Sequence, residues 1–146
     1  MDGAYIPDTA IVENECKIHY EKDVINTNDV KRIMIRNQQK RENLNRLIHL
    51  PKVWNSIPYS VYFFSCNLDD VLHGEANLKM EDKNKLAKQF ESDYMDNPSK
   101  FIEFFNQKEI VVHGEYEESW KFISFQTNSL QRYSNFAIYL NKCKKN

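Results

Sequence analysis

The chain predicts an α/β fold, a small sheet flanked by several helices in a single compact domain, and three observations carry that expectation. The run "SVYFFS", residues 60 to 65, joins aromatic and β-branched residues between Pro58 and Asn67, the composition of a central strand. Leu86, Phe90 and Tyr94 recur four apart among charged residues, the spacing of a helix with one apolar face. The length of 146 residues, 41% of them hydrophobic, suffices to bury a core without disulfide or metal staples, and no linker or repeat marks a second domain.

The elements follow in order. Asp2-Gly3 and Pro7-Asp8 are turn pairs, so the chain opens in a loop and enters a weak strand near residues 16 to 20, where Ile18 and Tyr20 share a face. A helix begins with Thr27 or Asn28 as cap and Asp29 in its first turn, and Pro51 stops it. Val30, Ile33 and Met34 form one apolar stripe and Leu44, Leu47 and Ile48 another. The intervening "RNQQKREN" has no apolar residue, so the helix is either broken there or held out in solvent. After the central strand comes the helix carrying Leu86, Phe90 and Tyr94. Asn97-Pro98 ends it and caps a short helix burying Phe101, Ile102 and Phe105. "EIVV" reads as an edge strand or extended link, and "YEESWKFISF" as a helix through Tyr116, Trp120 and Ile123. The tail fits both periods, and a short helix followed by a strand at "NFAIYL" is expected.

Charge and cysteine use exclude several classes. Twenty basic and 21 acidic residues leave a net charge of −1, so nucleic acid or anionic lipid can be drawn only by a local patch. Cys16, Cys66 and Cys143 are odd in number and have no short paired spacing, which argues against a disulfide framework or a zinc knuckle and for a reducing cytoplasm. The mean hydropathy is −0.70. The longest apolar run falls far short of the ~20 residues that span a bilayer, and no leader pattern opens the chain. No membrane association is expected.

Four constellations carry candidate chemistry. The sequence His-Gly-Glu occurs twice, at residues 73 to 75 and 113 to 115; each copy is read as a turn in preference to a pair of metal ligands, because the flanks do not match. "SCNLDDVLHGE" sets Asp69, Asp70 and His73 just after the strongest strand, where open α/β sheets place reacting groups. With a helix starting near Leu68, Asp69 and His73 lie one turn apart. Asp2 adds a carboxylate if the N-terminal loop reaches the same place, and Asp2, Asp69 and Asp70 are hard oxygen donors of the kind Mg²⁺ takes. The structural alternative is that Asn67, Asp69 and Asp70 cap that helix and complement its dipole. Third, Lys31, Arg32, Arg36, Lys40, Arg41 and Arg46 form a basic helix able to grip nucleic-acid phosphates, against the alternative of a solvated face. Fourth, Cys66 with His73 as base would be a thiol nucleophile, but a cysteine closing an apolar strand reads as a buried small residue.

The order "MDGAY", basic helix, "VYFFS", "CNLDDVLHGE" resembles the second half of the TOPRIM-like domains of RloB-type prokaryotic defence nucleases, over residues 1 to about 78. The resemblance sets Asp2 at the first aspartate of that family's Asp-x-Asp motif and Asp69 or Asp70 at the later acidic position. Ala4 stands where the second aspartate belongs, and the strand with the family's glutamate would lie before Met1. A domain lacking both binds Mg²⁺ poorly. The resemblance therefore implies a fragment, a degenerate copy or one part of a split protein, with nuclease activity weak or lost. The rival expectation is a non-enzymatic binding or inhibitor protein of a phage or mobile element, acting on a protein partner through the basic helix or the aromatic C-terminal half.

Overall fold

In a computed structural model, which describes every residue except 51, 55 and 146, short strands organise the N-terminal part. Strands β1 (Ile11–Glu13), β2 (His19–Tyr20) and β3 (Ile25–Thr27) form a sheet in the order β1-β3-β2, with β1 parallel and β2 antiparallel to β3. The strand expected over 16 to 20 is narrowed to its last two residues. Ile18 and Tyr20 do pack together, against the core of Ile6, Ile11, Ile25 and Ile33.

Helix α1 (Val30–His49) runs unbroken through the stretch without apolar residues. Its inward positions there hold the N-terminal loop by polar contacts in place of apolar ones. Arg36 Nη2 donates to the Asp2 carbonyl at 3.0 Å, Asn37 Nδ2 to the Gly3 carbonyl at 3.2 Å, and the Lys40 ammonium pairs with the Asp2 carboxylate. The cap is Asp29, whose side chain accepts from the Arg32 N–H at 3.0 Å, and not Thr27 or Asn28. Thr27 is occupied elsewhere, its hydroxyl donating to the Lys17 carbonyl at 2.8 Å. The helix closes at Leu50, whose N–H reaches the Leu47 carbonyl; the expected stop, Pro51, lies outside the described residues. A hairpin of β4 (Lys52–Val53) and β5 (Ile57–Pro58) follows.

The expected central strand is shorter than its composition suggests. Only β6 (Phe64–Ser65) is laddered, antiparallel to β7 (Tyr133–Ser134). Residues 61 to 63 carry no ladder, and side chains take its place: the Tyr116 hydroxyl bonds both the N–H and the carbonyl of Val61, and Asn135 Oδ1 accepts from the Phe63 N–H at 2.8 Å. On the other edge of β6, the N–H groups of Met1 and Asp2 donate to the carbonyls of Phe64 and Cys66. The strand is therefore central, between the chain's first residues and β7.

Helices α2 (Leu68–His73), α3 (Met80–Tyr94), α4 (Pro98–Phe105), α5 (Tyr116–Ile123) and α6 (Phe136–Lys145) surround it. Asn97 caps α4 through a bond from the Lys100 N–H, as its Asn-Pro start implies, although of the expected Phe101, Ile102 and Phe105 only Phe105 is buried, together with Phe104, and the other two are half-buried. "EIVV" is neither a strand nor wholly extended: Glu109 and Ile110 lie in a turn, with the Ile110 and Val111 N–H groups donating to the Gln107 carbonyl, and only a single parallel bridge, Val111 to Ser134, touches β7. The tail reverses the expected order: a 3-10 turn at Asn128–Leu130 and the two-residue β7 come first, and "NFAIYL" is helical from Phe136 on. Asn135 explains the switch, because its buried amide bridges Phe63 and Ser119 and ends the strand just before the helix begins.

Three apolar clusters hold this single α/β body together: one under α1, one of Phe104, Phe105, Ile110, Val71 and Ala137 between α2, α4 and α6, and one of Phe63, Val112, Trp120 and Ile123. Among the described residues no helix is long and apolar enough to cross a membrane.

Candidate functional site

Two segments distant in sequence converge beside β6. The Asp2 N–H donates to the Cys66 carbonyl at 2.6 Å, which places the Asp2 side chain next to the start of α2. Asp2 and Asp69 line one cavity of about 410 Å³ with His19, Tyr20, Asn77 and Lys83. The acidic convergence expected from sequence thus exists for Asp2 and Asp69.

Each of these carboxylates faces a lysine. Asp69 Oδ2 lies 2.7 Å from Lys83 Nζ, and Asp2 pairs with Lys40. Burial alone would push the Asp2 carboxyl up, but the charges of the Met1 amino group, Lys40 and Arg36 together outweigh it and hold the group below its ordinary value. Asp2 is therefore a firmly ionised carboxylate already neutralised by cations.

Asp70 does something else. Its N–H donates to Asn67 Oδ1 at 2.9 Å and its carboxylate takes a long bond from the Cys66 N–H at 3.4 Å, so Asn67 caps α2 and Asp70 buttresses the turn. Burial raises the Asp70 carboxyl above its ordinary value against the opposing pull of the Cys66 N–H and Arg132. The Asp70 side chain is not part of the cavity wall. Neither is His73, whose ring packs edge-on against Phe90, 6.1 Å between centroids, in the last turn of α2. Cys66 is fully buried, and burial with the Asp70 and Asp2 charges pushes its thiol up to about 12, which makes it inert as a nucleophile.

Mg²⁺ would need several oxygen donors free to turn toward one point. Among the described residues no group of three or more His, Cys, Asp or Glu side chains stands ready to hold a metal ion, and the two converging carboxylates are turned to lysines. As arranged, this donor set does not fit Mg²⁺.

The basic helix divides into two groups. Arg36 and Lys40 point inward: Arg36 donates to the Asp2 carbonyl, Asn37 Oδ1 and the Tyr20 hydroxyl, and Lys40 holds Asp2. Lys31, Arg32 and Arg46 are exposed and Arg41 is half-buried, with only a 3.6 Å contact from Arg32 to Asp29 pairing any of the four among the described residues. Sequence reasoning missed His19, Tyr20, Asn77 and Lys83 in the cavity wall. No local pattern marks them, because β2 and the start of α3 meet Asp2 and Asp69 only once the chain is folded. The two His-Gly-Glu copies are turns with opposite jobs: Gly74, at φ 73°, closes α2, and Gly114, at φ 102°, precedes Glu115, the cap of α5.

No family model matches the chain, and neither a curated protein nor a solved structure matches it.

Proposed function

We propose that this chain is a TOPRIM-like domain of a nucleic-acid-processing or defence-associated system, acting in the cytoplasm, whose own metal-dependent nuclease activity is weak or lost. The observation that carries this is the meeting of Asp2 and Asp69 in one cavity at the end of a central strand, with each carboxylate neutralised by a lysine. The convergence is what a TOPRIM-like acidic site requires, and the lysines are what a site without tight metal binding accommodates. The exposed cations of α1 supply the phosphate-binding surface, and three free cysteines suit a reducing compartment.

Fluorescence anisotropy with labelled single-stranded and duplex DNA at low salt tests the binding part. Binding weakened by Lys31→Glu with Arg46→Glu is expected, and no binding to either DNA at low salt overturns the proposal. For catalysis, plasmid incubated with Mg²⁺ or Mn²⁺ should show at most slow nicking that Asp2→Ala and Asp69→Ala abolish. Rapid cleavage, or cleavage indifferent to both substitutions, contradicts it.

One observation favours a second reading, a non-enzymatic binding or inhibitor protein of a phage or mobile element. Leu47, Leu50, Trp54 and Ile57, at the end of α1 and on the adjoining hairpin, are all exposed, Trp54 by 86%. Exposed apolar residues grouped this way suit a protein partner. Under that reading Trp54→Ser abolishes partner capture and leaves DNA binding untouched.

A further inference from the structure

Trp54 is 86% exposed and follows β4 directly, in the turn to β5, with φ 47°. Left-handed backbone is an outlier for so bulky a side chain. The hairpin thus carries a strained turn whose effect is to hold an indole out in solvent, and strain of this kind gathers at functional places. Leu47 and Leu50 at the end of α1 and Ile57 on β5 are exposed beside it in the chain, which makes an apolar knob.

The same end of α1 walls a hollow. Asn45, Ile48 and His49 line a cavity of about 370 Å³ whose further walls include Tyr5, Tyr116 and Glu117. That volume falls within the ~300–1,000 Å³ of pockets that enclose a ligand group, and it has room for one bicyclic ring. Phe125, next to the lining Ser124, is 60% exposed, so apolar surface continues past the cavity wall.

Knob and hollow adjoin, since His49 lines the cavity and β4 begins at Lys52. That adjacency selects the occupant. A knob and a hole on opposite faces join copies head to tail, and the contacts do not close. Side by side, they let one two-fold axis place each knob in the other copy's hole. Charge agrees. Residues 43 to 68 include no Asp or Glu, and Arg46 and Lys52 are exposed there, whereas α5 at the hollow opens with the exposed Glu115, Glu117 and Glu118 against a single Lys121. A two-fold axis between the two sets unlike charges face to face. A buried indole N–H also needs an acceptor. The Tyr5 hydroxyl gives its proton to Asn45 Oδ1 at 2.8 Å, which keeps its oxygen able to accept, and the Glu117 side chain lines the same cavity.

We propose that this chain pairs with a second copy of itself about a two-fold axis at the end of α1, each Trp54 entering the other copy's cavity and each Lys52 facing the other copy's Glu117. The pairing stands apart from the nucleic-acid reading, and it gives the exposed apolar patch an occupant other than a foreign protein.

Sedimentation velocity of the full chain across the micromolar range tests it. The mass should rise with concentration from 17.5 kDa toward twice that value. Trp54→Ser removes an exposed ring and leaves the three apolar clusters whole, and it should weaken self-association at least about 30-fold, as loss of a central aromatic anchor does. Lys52→Glu and Glu117→Lys should each weaken it and, combined in one chain, restore it. Acrylamide quenching of the parent's tryptophan emission should fall as the protein is concentrated; in Trp54→Ser, whose remaining Trp120 is buried, it should stay constant. A single-chain mass throughout leaves the patch to a foreign partner and overturns the proposal. A dimer that Trp54→Ser leaves intact, or a combined charge variant no tighter than the single ones, overturns it as well. DNA anisotropy is read separately: a monomer that binds DNA refutes only the pairing, and a dimer that binds none refutes only the nucleic-acid reading.

Discussion

At the scale of single residues, two neighbouring carboxyls on this fold respond to pH in opposite senses. Asp2 is held below its ordinary value, so as the pH falls the unfolded chain takes up the proton first. Its stabilisation is complete above the unfolded carboxylate value, about 3.9, and is lost as the pH falls through the lower folded one. Asp70 is held above its ordinary value by burial, so the folded chain takes the proton first. Its contribution is complete below the unfolded value and is lost as the pH rises through the folded one. Melting temperatures of Asp2→Asn and Asp70→Asn at several pH values between 3 and 7 separate the two. Asp2→Asn should melt lower than the parent at neutral pH, with the gap closing in acid. Asp70→Asn keeps an acceptor for the Cys66 N–H and should melt no lower than the parent at neutral pH. A large neutral-pH loss for Asp70→Asn would show that its charge is needed where the structure gives it only a long bond.

At the scale of elements, the two His-Gly-Glu turns show how one tripeptide serves either end of a helix. An added Cβ at Gly74 would sit 3.6 Å from the Arg132 guanidinium, an ordinary contact, so Gly74→Ala should cost about 1 kcal/mol from the left-handed φ alone. At Gly114 the same atom would lie 2.6 Å from Glu118 Oε2, the oxygen that accepts from the Glu115 N–H in the α5 capping box. Glu118 can swing aside only by giving up that bond. Gly114→Ala should therefore cost about 2 kcal/mol, the φ strain plus a lost cap. Urea unfolding of both variants decides it, and equal losses would mean the capping box contributes nothing. Helix α1 makes the same point over a greater length: its apolar-free middle is an interface whose partners are a backbone and a carboxylate, so a search for apolar stripes finds a gap where the structure has contact.

At the scale of the whole molecule, the near-neutral charge hides a division of cations between structure and surface. Six cations facing phosphate would give a salt slope of about −5.4 for DNA binding, whereas the four not committed to the N-terminal loop give no steeper than about −3.6. A plot of log affinity against log salt distinguishes these values. Lys40→Glu would set two carboxylates against each other at Asp2 and should destabilise the fold before it affects binding, which makes Lys31 and Arg46 the informative positions.

What the chain determined by itself is what depends on near neighbours. The presence and apolar faces of α3 and α5, the Asn97-Pro98 start of α4 and the capping of α2 by Asn67 follow from side chains three and four residues apart, and those contacts exist as soon as a turn forms. The α/β class was legible for the same reason. The tertiary structure alone decided which residues reach one another across long separations. It placed Asp2 and Asp69 in one cavity and paired them with Lys40 and Lys83 respectively, left Asp70 and His73 out of the cavity, shortened the central strand because Tyr116 and Asn135 took over its backbone groups, and made the tail a helix. A carboxylate in sequence has no partner until the chain folds, so whether Asp2 faces a metal, a lysine or solvent is settled only by what packs against it.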